Sequence, residues 1–209
     1  MNAAPSVRLV LASASPRRVE LMQEAGYQFE VLIPDVEESH DESLTCEALT
    51  VENARLKGLA IAVQHPDAVV IAADTLVYLD DKPLGKPRDM EDAAAMLRRL
   101  SGRTHRVCTG VTVLAQGGAV ESSFPVISEV TFKPLSEATI RDYHSKIQPL
   151  DKAGAYAVQD ESAMIIDRVE GSWSNVKGLP MERLTAELGS FLEPSTGSSV
   201  VPTVQSEPR

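Results

Sequence analysis

The residues of this chain best suited to chemistry are one carboxylate set among apolar residues and a Ser-Pro-Arg-Arg run at a helix start. Ser13-Ala14-Ser15-Pro16-Arg17-Arg18 follows the apolar residues Leu9 to Ala12 and precedes the amphipathic segment Val19 to Ala25. That order reads as buried strand, tight loop and helix, with Ser15 as N-cap and Pro16 at the first helical position. The helix start offers free backbone N–H groups, the positive end of a dipole, two hydroxyls and two guanidiniums. Together these make an anion site, with phosphate as the natural ligand. The same residues also read as a capped surface helix with two solvated arginines. Val69 to Leu79 is an apolar run broken by Asp74-Thr75. A carboxylate in such a place needs a cation, a set of donors or a proton. If Val69 to Ala73 is a buried parallel strand, Asp74 stands at its carboxyl end, where open α/β sheets bind ligands. The alternative is a turn-forming Asp bonded to its own backbone.

Other charged residues have two readings each. From Val19 to Ala54 there are ten acids and no lysine or arginine. The densest part, Pro34 to Glu42, reads as a solvated loop leading into a helix. It also reads as a source of carboxylates for a hard divalent cation, because Mg²⁺ takes one or two carboxylates plus substrate phosphates. Lys57 interrupts an otherwise apolar-periodic segment and, alone, reads as a surface residue. Lys86 lies between Gly85 and Pro87 and could touch phosphate, although no GxxxxGK[ST] or GxGxxG motif occurs. His105 and His144 are isolated and read as surface or satisfied histidines.

The elements that must carry these residues follow from periodicity and punctuation. Strands are expected over Val7 to Ala12, Tyr27 to Ile33 and Val69 to Ala73, and again over Met164 to Val169. Thr104 to Leu114 and Ala119 to Phe132 form a hairpin about Gln116-Gly117-Gly118. Helices are expected from Pro16 to Gly26, Glu47 to Val63, Asp89 to Leu100, Ser136 to about His144 and Gly178 to about Leu192. Asp80 to Pro83 is a turn, Asp151 to Gln159 a loop running into a strand, and Glu170 to Asn175 a turn-rich loop. Residues 1–193 form a single unit, and 194–209, rich in Ser, Thr, Pro and Val, read as a disordered tail.

Composition sets outer limits. The chain has 209 residues, 43% hydrophobic and 24% charged, which is ordinary for a soluble globular protein. Its net charge of −10 argues against non-specific nucleic-acid binding, so any anionic ligand must meet basic groups gathered locally. Cys46 and Cys108 form no CxxC pair, and two free thiols in a reducing compartment are expected. No signal peptide is read at the N-terminus, and no stretch approaches the ~20 apolar residues of a membrane span. The expected location is the cytoplasm.

In order along the chain stand Leu11 to Arg18, Val36-Glu37-Glu38, Leu56-Lys57, Ala73-Asp74-Thr75 and Gly85-Lys86-Pro87. Ser101-Gly102, Asp151 to Tyr156 with Gln159, and Asn175-Val176 with Gly178-Leu179-Pro180 follow. Together they resemble the Maf family of nucleotide pyrophosphatases, also called septum-formation-inhibitor proteins, from about Arg8 to Leu192. The resemblance implies an α/β fold with a mixed, elongated central sheet, flanking helices and a deep cleft between two lobes, similar to inosine triphosphate pyrophosphatases. It implies hydrolysis of a nucleoside triphosphate to the monophosphate and pyrophosphate with a divalent metal cation, Mg²⁺ or Mn²⁺. A homodimer is among the assemblies it allows.

The resemblance also implies roles. Asp74 would be the general base or would hold the metal, with Glu38 as a further metal carboxylate and Glu37 as its substitute. Ser13, Arg18, Lys57 and Lys86 would grip phosphates. Arg17, Thr75 and Gln159 match the subgroup acting on dTTP and UTP, and would read the base. Arg17 and Arg18 are about 100° apart on a helix, which separates their tasks. Gly58, Asp160, Trp173 and Lys177 stand where the family commonly has Ala, Gly, Tyr and an apolar residue. Two competing functions are a pyrophosphatase for 7-methyl-GTP or another modified nucleotide, and a non-catalytic nucleotide-binding regulator of septum formation.

Overall fold

Arg8–Ala12 forms β1, buried from Leu9 onward, and it lies parallel to the strands on both its sides. On one side is the short edge strand β2 (Glu30–Leu32), and on the other the first part of β3 (Ala68–Leu79). The rest of the sheet is antiparallel. β4 (Lys82–Leu84) turns back on the end of β3, and β5 (Thr104–Ala115), β6 (Val120–Phe132) and β7 (Ile166–Glu170) follow across it. The result is a seven-stranded mixed sheet in the order β2-β1-β3-β5-β6-β7, with β4 attached to β3. This computed structural model describes residues 7–41, 43–158 and 161–192. Residues 194–209, expected as a tail, lie outside that range.

Helices cover both faces. α1 (Pro16–Glu24) and α6 (Met181–Leu192) bury Leu21, Met22, Leu184 and Leu188 against Leu9, Leu11, Val69 and Ile71. α2 (Cys46–Ala62) covers the opposite face, over Val10, Ala12, Val70 and Ala72. The alternation of β1 and β3 residues between these two clusters is the period of a pleated strand. A third cluster joins the far ends of β3, β5 and β6 to α3 (Met90–Leu100) and α4 (Glu137–Lys146). The expected caps are present there: Asp89 accepts from Asp92 N at 2.8 Å, and Ser136 from Thr139 N at 3.1 Å. Among the described residues no helix is long and apolar enough to cross a membrane. Both cysteines are free thiols.

Several sequence expectations need correction. β3 does not stop before Asp74. β5 pairs with it from Val70 to Tyr78, so the strand continues after its pairing with β1 has ended at Ala72. Tyr27 to Ile33 forms a strand only in part: Glu30, Val31 and Leu32 pair with Val10, Leu11 and Ala12 of β1. No strand lies between Asp151 and Val158. A 3₁₀ turn at Ala153–Ala155 occupies the place, with Gly154 and Ala155 at φ 70° and 62°. The loop at Glu170 to Asn175 contains a short helix, α5 (Trp173–Lys177), capped by Ser172 Oγ accepting from Asn175 N at 3.0 Å. Ser15 has cap geometry without a side-chain cap bond; its own N–H donates to Ser13 Oγ at 3.1 Å.

α2 lies very close to the sheet. A Cβ on Gly110 of β5 would stand 2.2 Å from the Thr50 carbonyl carbon and 2.3 Å from Val51 N. Neither backbone atom can move without lifting α2. Gly110→Ala is expected to destabilise the protein by about 3 kcal/mol or more, read as a lower urea midpoint. Gly189→Ala, in α6 with open space around it, is expected to gain about 1 kcal/mol in the same measurement.

Candidate active site

The site is built at a gap in the sheet. Along one edge of β3, pairing with β1 ends at Ala72 and pairing with β4 begins at Val77. The other edge is occupied by β5 throughout this region. Ala73 to Leu76 therefore have no strand beside them on the β1 side, and Asp74 and Thr75 stand in the opening. A cleft of about 1400 Å³ is centred there.

Asp74 and Thr75 are consecutive strand residues and point to opposite faces. Asp74 is 6% exposed and faces α2. Lys57 Nζ donates to its Oδ1 at 2.7 Å. Asn53 Nδ2 donates to its Oδ2 at 3.4 Å. The same Lys57 ammonium lies 2.6 Å from Glu38 Oε1. Lys57 keeps only 12% of its side chain exposed, so this is a largely desolvated cation between two carboxylates. Removal of either charge from such a pair leaves the other uncompensated, which is strongly destabilising.

On the other face, Thr75 Oγ1 is 2.9 Å from Thr109 Oγ1 and donates to Gly178 O at 3.3 Å. Arg18 reaches in from α1. Its Nε donates to Gly178 O at 2.9 Å, Nη1 to Ala73 O at 2.8 Å and to Ser13 Oγ at 3.4 Å, and Nη2 to Thr75 Oγ1 at 3.1 Å. Burial lowers the Arg18 pKa from its ordinary value, and Asp74 opposes that shift. The guanidinium stays charged all the same.

The remaining sequence-selected residues fall as follows. Ser13 is buried, and its Oγ accepts from Ser15 N and Arg18 Nη1. Arg17, half-buried, and Lys86, exposed, both line the cleft. Glu38 lines the cleft and Glu37 is exposed outside that lining. Gln159 lies outside the described residues, although Ala157 and Val158 just before it line the cleft. Sequence reasoning gave no role to two buried residues that line it. Asn53 is one, and its signal was its position four residues before Lys57 on the same helix. Lys152 is the other; its Nζ donates to Gln148 O and Asp151 Oδ1, both at 2.8 Å.

The donor set bears on a metal. Among the described residues no group of three or more His, Cys, Asp or Glu is arranged for one. Glu38 and Asp74 are nevertheless two hard-oxygen donors held on one ammonium. That number fits Mg²⁺ when substrate phosphates supply the remaining ligands. Eight lysines and arginines line the cleft, Arg17, Arg18, Lys57, Lys86 and Lys152 among them, against six carboxylates, a local excess of positive charge within a chain of net charge −10. The site can therefore attract a polyphosphate, hold it and offer a carboxylate to water.

The family model for Maf-like protein matches residues 8–191. A dTTP/UTP pyrophosphatase of Akkermansia muciniphila is 46% identical over 173 residues, covering 83% of this chain and 90% of that protein. A dTTP/UTP pyrophosphatase of Myxococcus xanthus is 47% identical over 188 residues, covering 90% and 94%. Among solved structures, the Staphylococcus aureus Ham1 protein matches with a TM-score of 0.44 at 19% identity, over 60% of this chain and 71% of that one.

One wall of the cleft carries a buried histidine. Tyr156 lines the cleft, and its hydroxyl is 2.7 Å from His105 Nε2. His105 is 2% exposed, and burial pushes its pKa down from 6.5 to about 4. The unfolded chain thus binds the extra proton first, between pH 6.5 and 4. His105 contributes stability that is fully present above the unfolded value and is lost as pH falls through about 4. Urea midpoints measured from pH 7 to pH 4 should fall more steeply for the wild type than for His105→Asn, by up to about 1.4 kcal/mol per pH unit in that window.

Proposed function

Because the chain belongs to the Maf family, we propose that it hydrolyses dTTP and UTP to the monophosphate and pyrophosphate. The observation that carries the chemistry is the carboxylate of Asp74, set in the sheet gap against Lys57 and beside Glu38. The nucleobase assignment rests on the similarity to dTTP/UTP pyrophosphatases.

Water attacks the α-phosphorus and loses its proton to Asp74. The bond from that phosphorus to the α–β bridging oxygen breaks, and pyrophosphate leaves with the electron pair. Asp74 has the position for this work because Lys57 fixes one carboxylate oxygen and Asn53 the other. Lys57 and Lys86 meet the negative charge that builds on the phosphate oxygens, and a fixed cation is worth most in a site that excludes water. Glu38 and Asp74 would hold a divalent cation, Mg²⁺ or Mn²⁺, which supplies charge neutralisation to the polyphosphate. The Ser13 hydroxyl and Arg18 act from behind, by fixing the loop at the start of α1, which lines the cleft at the positive end of the helix dipole. Arg18 adds its charge to the phosphate field while its hydrogen bonds hold the protein together.

Arg17, Thr75 and Gln159 are assigned to choice of base. Thr75 does so through shape, since its hydroxyl is engaged by Thr109, Gly178 and Arg18. Such an enzyme works in the cytoplasm, where its substrates are made.

Pyrophosphate release from a panel of nucleotides tests this reading. Turnover is expected to favour dTTP and UTP, and Asp74→Asn should lower it by about 10²–10⁴-fold. A preference for 7-methyl-GTP would overturn the base assignment. Tight nucleotide binding with no pyrophosphate release would instead make the protein a nucleotide-binding regulator.

A further inference from the structure

The acidic loop poses a physical question that its sequence does not answer. Residues 34–41 form no helix or strand, and Glu38 keeps 45% of its side chain exposed. A coil rich in like charges should float in solvent. Here it lies against α2 with Glu38 on the Lys57 ammonium. Beside that ion pair, a neutral side chain holds its main chain there. Ser39 N donates to Asn53 Oδ1 at 2.7 Å, and Asn53 Nδ2 donates to Ser39 O at 3.1 Å. The amide thus takes both main-chain groups of a single residue, as a neighbouring strand would. The other proton of Nδ2 is directed to Asp74 Oδ2 at 3.4 Å. Asn53 is 2% exposed and stands one helical turn before Lys57 on the same face of α2.

The geometry points to Asn53 as a positioning residue for hydrolysis: it clamps Ser39 so that Glu38 is delivered to Lys57 and Asp74. This rests on the proposed function, and it assigns the arrangement of the two carboxylates to one neutral amide. Asn53 touches no reacting atom. It makes a mobile-by-composition loop into part of a rigid site before nucleotide arrives. A side chain that only filled space would need neither its acceptor nor its two donors.

The test joins two measurements. Amide hydrogen exchange at Ser39 should be protected in the wild type and at least about 10-fold faster in Asn53→Leu, while β5 amides keep their protection. The kcat for dTTP should fall about 10–100-fold in Asn53→Leu, with KM within about threefold. Glu38→Gln added to Asn53→Leu should cost little more than either change alone, because both break one arrangement. Asn53→Asp keeps the size and the acceptor but turns an oxygen toward Asp74 and Ser39 O, and should show the same losses if the leucine variant fails to fold. Unchanged Ser39 exchange, unchanged kcat, or fully multiplying effects of the Asn53 and Glu38 changes would each overturn the assignment. A wild type that hydrolyses neither dTTP nor UTP would overturn the proposed function instead, and the exchange measurement alone would then decide whether Asn53 holds the loop.

Discussion

A strand has two edges, and for the length of Ala73 to Leu76 one edge of β3 has no strand beside it. Backbone groups inside a protein must find partners, so this opening imposes conditions on everything near it. Arg18 meets one of them by donating to Ala73 O from a different element. The same guanidinium holds Gly178 O at the end of α5 and the Thr75 hydroxyl. A missing strand is thus replaced in part by a side chain, which gives Ala73 O its partner and leaves a hollow where a strand would have filled the space. The cleft exists because β1 ends at Ala12, opposite Ala72, while β3 continues, supported by β5.

The second condition is electrostatic. Asp74 is buried and charged, and a lysine must come to it. Lys57 can reach only because α2 lies low on the sheet. Gly110 permits that approach under Thr50. Gly58, next to Lys57, permits it too: a Cβ there would be 2.9 Å from Leu114 Cδ1 and 3.3 Å from Ala72 Cβ. The first of these is a leucine methyl at the end of a flexible side chain, so an alanine at position 58 needs only a small adjustment, unlike one at Gly110. The close backbone approach at Gly110 sets the distance across which the ion pair forms.

Much of this was legible in the sequence, for physical reasons that can be named. Asp74 announced itself because a carboxylate in an apolar run has few ways to exist. α3 and α4 were legible because their caps, Asp89 and Ser136, are local signals. The end of β3 was misjudged because a polar pair resembles a terminus when the long antiparallel partner is not in view. α5 was missed because its five residues are held by Ser172 and by tertiary bonds, not by helix propensity. Asn53 was invisible for a related reason. An asparagine in a helix reads as a weak helix former, and its value comes from a loop and a strand distant in the chain.

The alternation of a pleated strand has a consequence for how such a protein can change over generations. Asp74 and Thr75 are neighbours in sequence, yet the sheet separates them, with α2 behind one and α1 with α5 behind the other. A substitution on the Thr75 side acts first on Thr109, Gly178 and Arg18, whereas Asp74 is held by Lys57 and Asn53. Changes on the Thr75 side that spare Arg18, which also interacts with Asp74, can therefore reshape one side of the sheet while the contacts of Asp74 are inherited intact on the other.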